Sequence, residues 1–282
     1  MIGILQNKNL NSARLQSIID KHYLNICKTI KRSKTYNMPC IENDIKKYTA
    51  GTLTFEIIIK ANYPAIKAII NKYGKYTKSV DKYKILFNCF RKNYGDKLVK
   101  SLELSVCPYC NRNFINSSAD IDHFFPKTKY TVFSLSFFNL IPVCSVCNRK
   151  KNNNDIYVSP YDCAKQTDSI IKFIPFPKSI TEFSPKIKPL VREMQSNVDV
   201  LKLEDSYEIH SDLIAELYFK TLKYPKNYIK YLGELALSPV KVNMSPQEFH
   251  YGNYLKESNY YKRPLSKMTK DMIDCFRKYR EK

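Results

Sequence analysis

The chain has 282 residues, 33.1 kDa and a formal charge of +21, with 47 Lys/Arg against 26 Asp/Glu. Its 44% hydrophobic content excludes a disordered chain. No apolar run reaches the roughly 20 residues that span a bilayer, and the six scattered glycines leave no phosphate-cradling loop, so a nucleotide-hydrolysing motor is excluded as well. The first residues, "MIGILQNKNLNSARL", carry no signal-peptide pattern. A soluble, cytoplasmic protein with no membrane partner is expected.

Residues 1–106 hold 20 Lys/Arg against 7 Asp/Glu, or +13, whereas residues 155–282 hold 21 against 17, or +4. The N-terminal third is therefore expected to face a polyanion. Lysine dominates over arginine, which favours contact with a phosphate backbone over reading of base edges.

In chain order, "LNSARLQSIIDKHYLNICKTI" has apolar residues at three-to-four spacing and predicts an amphipathic helix capped by Asn11 or Ser12. "TFEIIIKANYPAIKAIINKYG" predicts two helices broken near Pro64. "DKYKILFNCFRKNYG" predicts another, stopped by Gly95. Between these, "KYGKYTKSVDKYK" interleaves lysine with tyrosine, which suits phosphate contact and base stacking, or a solvated loop. Residues 1–103 thus form a helical, basic region. Residues 104–165 form a core of short apolar runs and paired cysteines. Residues 166–282 form an extended, proline-rich segment, "IIKFIPFPKSITEFSPKIKPL", followed from about Asp205 by helices.

Of nine cysteines, Cys27, Cys40, Cys89, Cys163 and Cys275 stand singly and are expected as core thiols. The other four form two knuckles, Cys107-Pro-Tyr-Cys110 and Cys144-Ser-Val-Cys147, with 33 residues between them. Four thiolates so spaced make a closed, tetrahedral, structural Zn²⁺ site. The insert is expected to supply two strands, "NRNFI" and "DIDHFFP", joined by the turn "NSSA". A helix then opens around Ser145 and carries Asn148 near its start.

Within this strand–strand–helix arrangement, Asp122 and the amide oxygen of Asn148 are hard ligands for Mg²⁺ or Mn²⁺. His123 can take a proton from water near neutral pH. Asp120 shares the strand face of Asp122 and is read as solvated. Neighbours on a regular strand face opposite sides, so Asp122 and His123 would meet one phosphate only with a twist or bulge before Pro126. Lys127, Lys129, Arg149, Lys150 and Lys151 are candidate phosphate contacts, Lys151 lying one helical turn from Asn148.

The combined motif "CPYC…DIDHFFPK…NLIPVCSVCNRKK" resembles the HNH (ββα-metal) endonucleases of the four-cysteine zinc subgroup, over roughly residues 104–160. The resemblance implies an α+β fold, a ββα-metal core set between mainly helical regions. It implies His123 as general base, Asp122 and Asn148 as ligands of the catalytic metal, and Asn139 as the residue that holds the loop and orients the histidine. The last motif position, often His, is Asn148 here. The closing stretch "YKRPLSKMTKDMID" is similar to the tails of antiphage effectors paired with an ATPase in Septu- and retron-type systems. Together these imply a metal-dependent DNA endonuclease with a possible ATPase partner. A zinc-stabilised nucleic-acid-binding module without catalysis, and a restriction or mobile-element nuclease, stand as alternatives.

Overall fold

The computed structural model describes residues 1–33, 36–115, 119–162, 164, 166–237 and 244–280. Helix α1 (Ser12–Arg32) starts at Asn11, whose side chain accepts from the Arg14 amide, and buries Ile18, Ile19, His22, Ile26 and Ile30. That apolar stripe packs on α5 (Val80–Ser101). Between them lie α2 (Met38–Thr49), α3 (Phe55–Lys60) and α4 (Tyr63–Tyr73), each opened by an Asn or Thr side chain that accepts from the backbone. Pro64 stands in the first turn of α4, where its missing N–H costs nothing.

Gly95 does not stop α5; it is buried within the helix. A Cβ built there would lie 3.4 Å from Ile121 Cδ1, so the helix passes close to the strand carrying the Asp-His pair. Two of the three tyrosines of "KYGKYTKSVDKYK" have no free face for a base. Tyr76 and Tyr83 are buried, Tyr76 donating its phenol to Asp44 at 2.9 Å while its backbone bridges Tyr130.

The central unit is a two-stranded antiparallel sheet, β1 (Asp120–His123) with β2 (Leu140–Val143), followed by α6 (Ser145–Lys151). The expected pairing of 111–115 with 120–126 is therefore corrected. Asn111 has a left-handed backbone (φ 51°), and the amides of the first knuckle are spent locally, Asn111 N–H on Cys107 O at 2.7 Å and Cys107 N–H on Asn113 O at 2.9 Å. Phe114 keeps a single bridge to Val106. Most of the expected turn "NSSA", residues 116–118, lies outside the described residues.

After α7 (Thr167–Ile170), the proline-rich segment is an antiparallel hairpin of β3 (Ile171–Pro177) and β4 (Phe183–Pro189). Helices resume earlier than Asp205, as α8 (Arg192–Val200), α9 (Leu203–Tyr207), α10 (Ser211–Lys223), α11 (Lys226–Leu237), α12 (Pro246–Tyr251) and α13 (Ser266–Arg280). Helix α13 packs across β3 and against α10. The outcome is a mixed helical and small-sheet fold whose apolar core runs through all three sequence regions. Of the cysteines expected as core thiols, Cys27 is partly buried against the core, Cys89 and Cys275 are partly exposed and Cys40 is exposed, while Cys163 lies outside the described residues.

Candidate active site and metal centre

Cys107, Cys110, Cys144 and Cys147 are all buried, and their sulfurs lie within 4.8 Å of one another. Zn–S bonds of about 2.3 Å in a tetrahedron require sulfurs about 3.8 Å apart; Cys110 and Cys144 are at 4.0 Å. Burial pushes the Cys107 thiol up. Two donors already address sulfur, the Arg112 amide on Cys110 at 3.4 Å and the Asn113 side chain on Cys144 at 3.2 Å. The cluster fits a structural zinc site.

The C-terminal region grips the first knuckle from outside. Asn111 donates to Tyr260 O at 2.9 Å and accepts from the Lys267 amide at 3.1 Å, while the Tyr207 hydroxyl donates to Cys110 O. The sulfur cluster thus ties β1, β2 and α6 to the helices beyond residue 200.

Beside the cluster opens a cleft of about 460 Å³, lined by Asp122, His123, Lys127, Asn148 and Arg149 together with Phe87 and Arg91 of α5. The strand needs no bulge to bring Asp122 and His123 here: the register runs unbroken from Asp120↔Val143 to His123↔Leu140. Both residues line the cleft.

His123 is buried with its ring edge-on to Phe87, centroids 4.3 Å apart. Its Nε2 lies 3.0 Å from Ser134 O. A carbonyl only accepts, so Nε2 carries the proton and Nδ1 is the basic nitrogen. Burial, and then the Lys127 charge, hold the imidazole down to about 3, so it is neutral at physiological pH.

Asp122 accepts from the Tyr109 hydroxyl at 2.7 Å and from Lys151 Nζ at 3.2 Å. Burial pushes its carboxyl up, against the opposing pull of Lys151 and Tyr109. Lys151 is a correction: it is fully buried and cannot grip a flanking phosphate. Its ammonium turns inward to Asp122 and to His123 O at 2.7 Å, because a buried carboxylate without a counter-charge is costly. Lys129 is spent on Asp155 at 2.6 Å, and Lys150 on Ser206 Oγ at 2.7 Å, so neither lines the cleft. Lys127 and Arg149 do line it.

Asn148 donates its Nδ2 to Asp120 at 3.1 Å, leaving Oδ1 as the free acceptor of the amide. Asp120 is not simply solvated; its other oxygen accepts from Arg91 at 2.7 Å. Asn139 is fully buried. It accepts from the Phe125 amide at 2.7 Å and donates to Phe125 O at 3.2 Å and Phe133 O at 2.9 Å, fastening the chain that leaves His123.

Sequence reasoning missed Tyr109, which sat in view inside the first knuckle. It also missed Phe87 and Arg91, whose helix lies some 30 residues upstream and carries no signal that it would face the strand.

The family model "HNH endonuclease" matches residues 107–154. Over 58 residues the chain is 43% identical to Protein ea31 of Escherichia phage lambda. That match covers 21% of this chain and 18% of the phage protein, so the chain spans about a fifth of the relative it matches. No solved structure matches. Residues 107–154, with the four-sulfur cluster, the short sheet and α6, are an HNH endonuclease domain.

Proposed function

We propose that this protein is a metal-dependent endonuclease that hydrolyses phosphodiester bonds of DNA, with His123 as general base. One observation carries the reading: a neutral imidazole, its Nε2–H spent on Ser134 O, opens on the same cleft as Asp122 and Asn148. His123 Nδ1 takes the proton of the attacking water as the new P–O bond forms, and the 3′-oxygen leaves. Lys127 and Arg149 at the cleft wall bind the flanking phosphates. Asp122 and Asn148 would hold Mg²⁺ or Mn²⁺, a hard cation that supplies charge to the phosphate and leaving oxygen. The donor set fits such an ion: the Asn148 amide leaves Oδ1 available, and the contact of Lys151 Nζ with Asp122 Oδ1 is long, at 3.4 Å.

The engagement of Asp122 by Lys151 and Tyr109 favours a second reading, a zinc-stabilised nucleic-acid-binding module that does not cut. Plasmid cleavage decides between them. The nuclease nicks or linearises DNA with Mg²⁺ or Mn²⁺, leaving 5′-phosphate and 3′-hydroxyl ends, and His123→Ala abolishes cutting while DNA binding persists. Binding without cutting by wild type, or an undiminished His123→Ala rate, rejects the nuclease.

In the cell, a cytoplasmic place in antiphage defence beside an ATPase, or in a mobile element, suits a chain with a phage-encoded relative. Co-purification with an ATPase separates the two.

A further inference from the structure

A second cavity, of about 390 Å³, lies between α1 and α5, apart from the residues of the cleft. Its rim carries Lys21 and Lys28, two turns apart on α1, and Lys97 across from them on α5. None of these three lysines has an ion-pair partner among the described residues, and no carboxylate lines the cavity. Lys97 also lies over the Tyr94 ring, 5.8 Å from its centroid, and three like charges at one opening favour an anion among them.

The floor is different in kind. Ile18, Leu98 and Phe90 are buried apolar residues beneath it, and the partly exposed Tyr94 ring, tilted by 31° to Phe90 with centroids 6.1 Å apart, supplies its apolar surface. His22 completes the floor, 97% buried by its 3% exposure. Its Nε2 lies 2.8 Å from Leu135 O and must donate, so Nδ1 is an acceptor, and it has no partner among the described residues. A buried acceptor left unpaired is costly, and a ligand N–H would satisfy it.

We infer that this groove is a binding site for a nucleotide, with the base against the Tyr94 side of the floor, an N–H of the base on His22 Nδ1, and the phosphate among Lys21, Lys28 and Lys97. Its volume is in the range that holds small ligands. A bare anion would leave the apolar floor and the His22 acceptor unused, and an apolar ligand would leave the lysines unpaired. The inference concerns binding alone and stands or falls apart from the nuclease reading.

Two sources share this chemistry, a free nucleotide and the 5′-phosphorylated end of a strand. Calorimetry of the full chain with AMP tests the site. One saturable site is expected, weakened at least about tenfold in Lys21→Glu/Lys28→Glu and changed less than about twofold in the cleft variant Lys127→Glu/Arg149→Glu. His22→Phe, which keeps a ring and removes the acceptor, should weaken AMP binding about tenfold, and inorganic phosphate should bind at least about tenfold more weakly than AMP. Displacement of AMP by a 5′-phosphorylated trinucleotide identifies a strand end as the occupant, and its failure to compete identifies a free nucleotide. No saturable AMP binding, affinity unaltered by the α1 charge reversals, or phosphate binding as tightly as AMP overturns the inference.

Discussion

His22 and His123 hold neighbouring carbonyls of one loop: His22 Nε2 lies 2.8 Å from Leu135 O and His123 Nε2 lies 3.0 Å from Ser134 O. Their rings also meet residues one turn apart on α5, Phe90 for His22 and Phe87 for His123. The loop between the strands of the HNH domain is therefore held from both sides, by a histidine of the N-terminal region and by the histidine of the motif. Because both rings donate to carbonyls, both are held in the same tautomer.

Stability should fall in acid through these rings. Burial holds His22 down to about 4, against an ordinary value near 6.5. The folded state therefore resists a proton that the unfolded chain accepts. Its contribution is complete above about pH 6.5 and is lost as pH falls toward 4, about 3 kcal/mol from His22 alone. Urea unfolding at pH 7 and pH 4.5 should show this loss, and His22→Phe should flatten it. An equally steep decline in the variant would refute the assignment.

The four-sulfur cluster should contribute to folding directly. Elemental analysis should find one zinc per chain, and Cys107→Ser or Cys144→Ser should lose it along with cooperative unfolding. Because the first knuckle is gripped by Tyr207, Tyr260 and Lys267, chelation should also loosen α9 and α13, readable by hydrogen exchange. Unchanged protection there after zinc removal would disprove the linkage.

Lys151→Met should be severely destabilising, by about 3–5 kcal/mol, because it strands the buried Asp122 carboxylate. The double variant Lys151→Met/Asp122→Asn should recover a large part of that loss. Chemical denaturation of both variants measures the coupling, and additive losses would show that the pair does not act as one.

Arg91→Ala should leave stability nearly unchanged, since its ion pair with Asp120 is half exposed and such pairs contribute about 1 kcal/mol or less. Cleavage should nevertheless fall about tenfold or more, because Asp120 also holds the Asn148 amide and a small misplacement near the reacting atoms is expensive. Asp120→Asn should behave likewise. A full cleavage rate in both would remove Arg91 and Asp120 from the site.

How much of this was written along the chain depends on the reach of each signal. The knuckle spacing, the Asn11 cap, the Pro64 break and the start of α6 at Ser145 are local features, set by nearby residues, and the structure has them where they were expected. Gly95 misled because glycine only weakens a helix, by about 1 kcal/mol, and the packing of α5 on α1 carries the helix through it to Ser101. The strand at 111–115 misled because apolar alternation does not reveal that a knuckle has already used the amides.

The sequence by itself determined that the four knuckle cysteines would meet and that Asp122, His123 and Asn148 would belong to one small unit, since short spacings are carried by the chain itself. Only the tertiary structure decided which charges face the cleft. Lys151, Lys150 and Lys129 look alike in sequence to Lys127 and Arg149, yet they turn to Asp122, Ser206 and Asp155. Burial and counter-charge are properties of the packed chain, where desolvation of one carboxylate recruits the nearest ammonium whatever its sequence neighbours suggest.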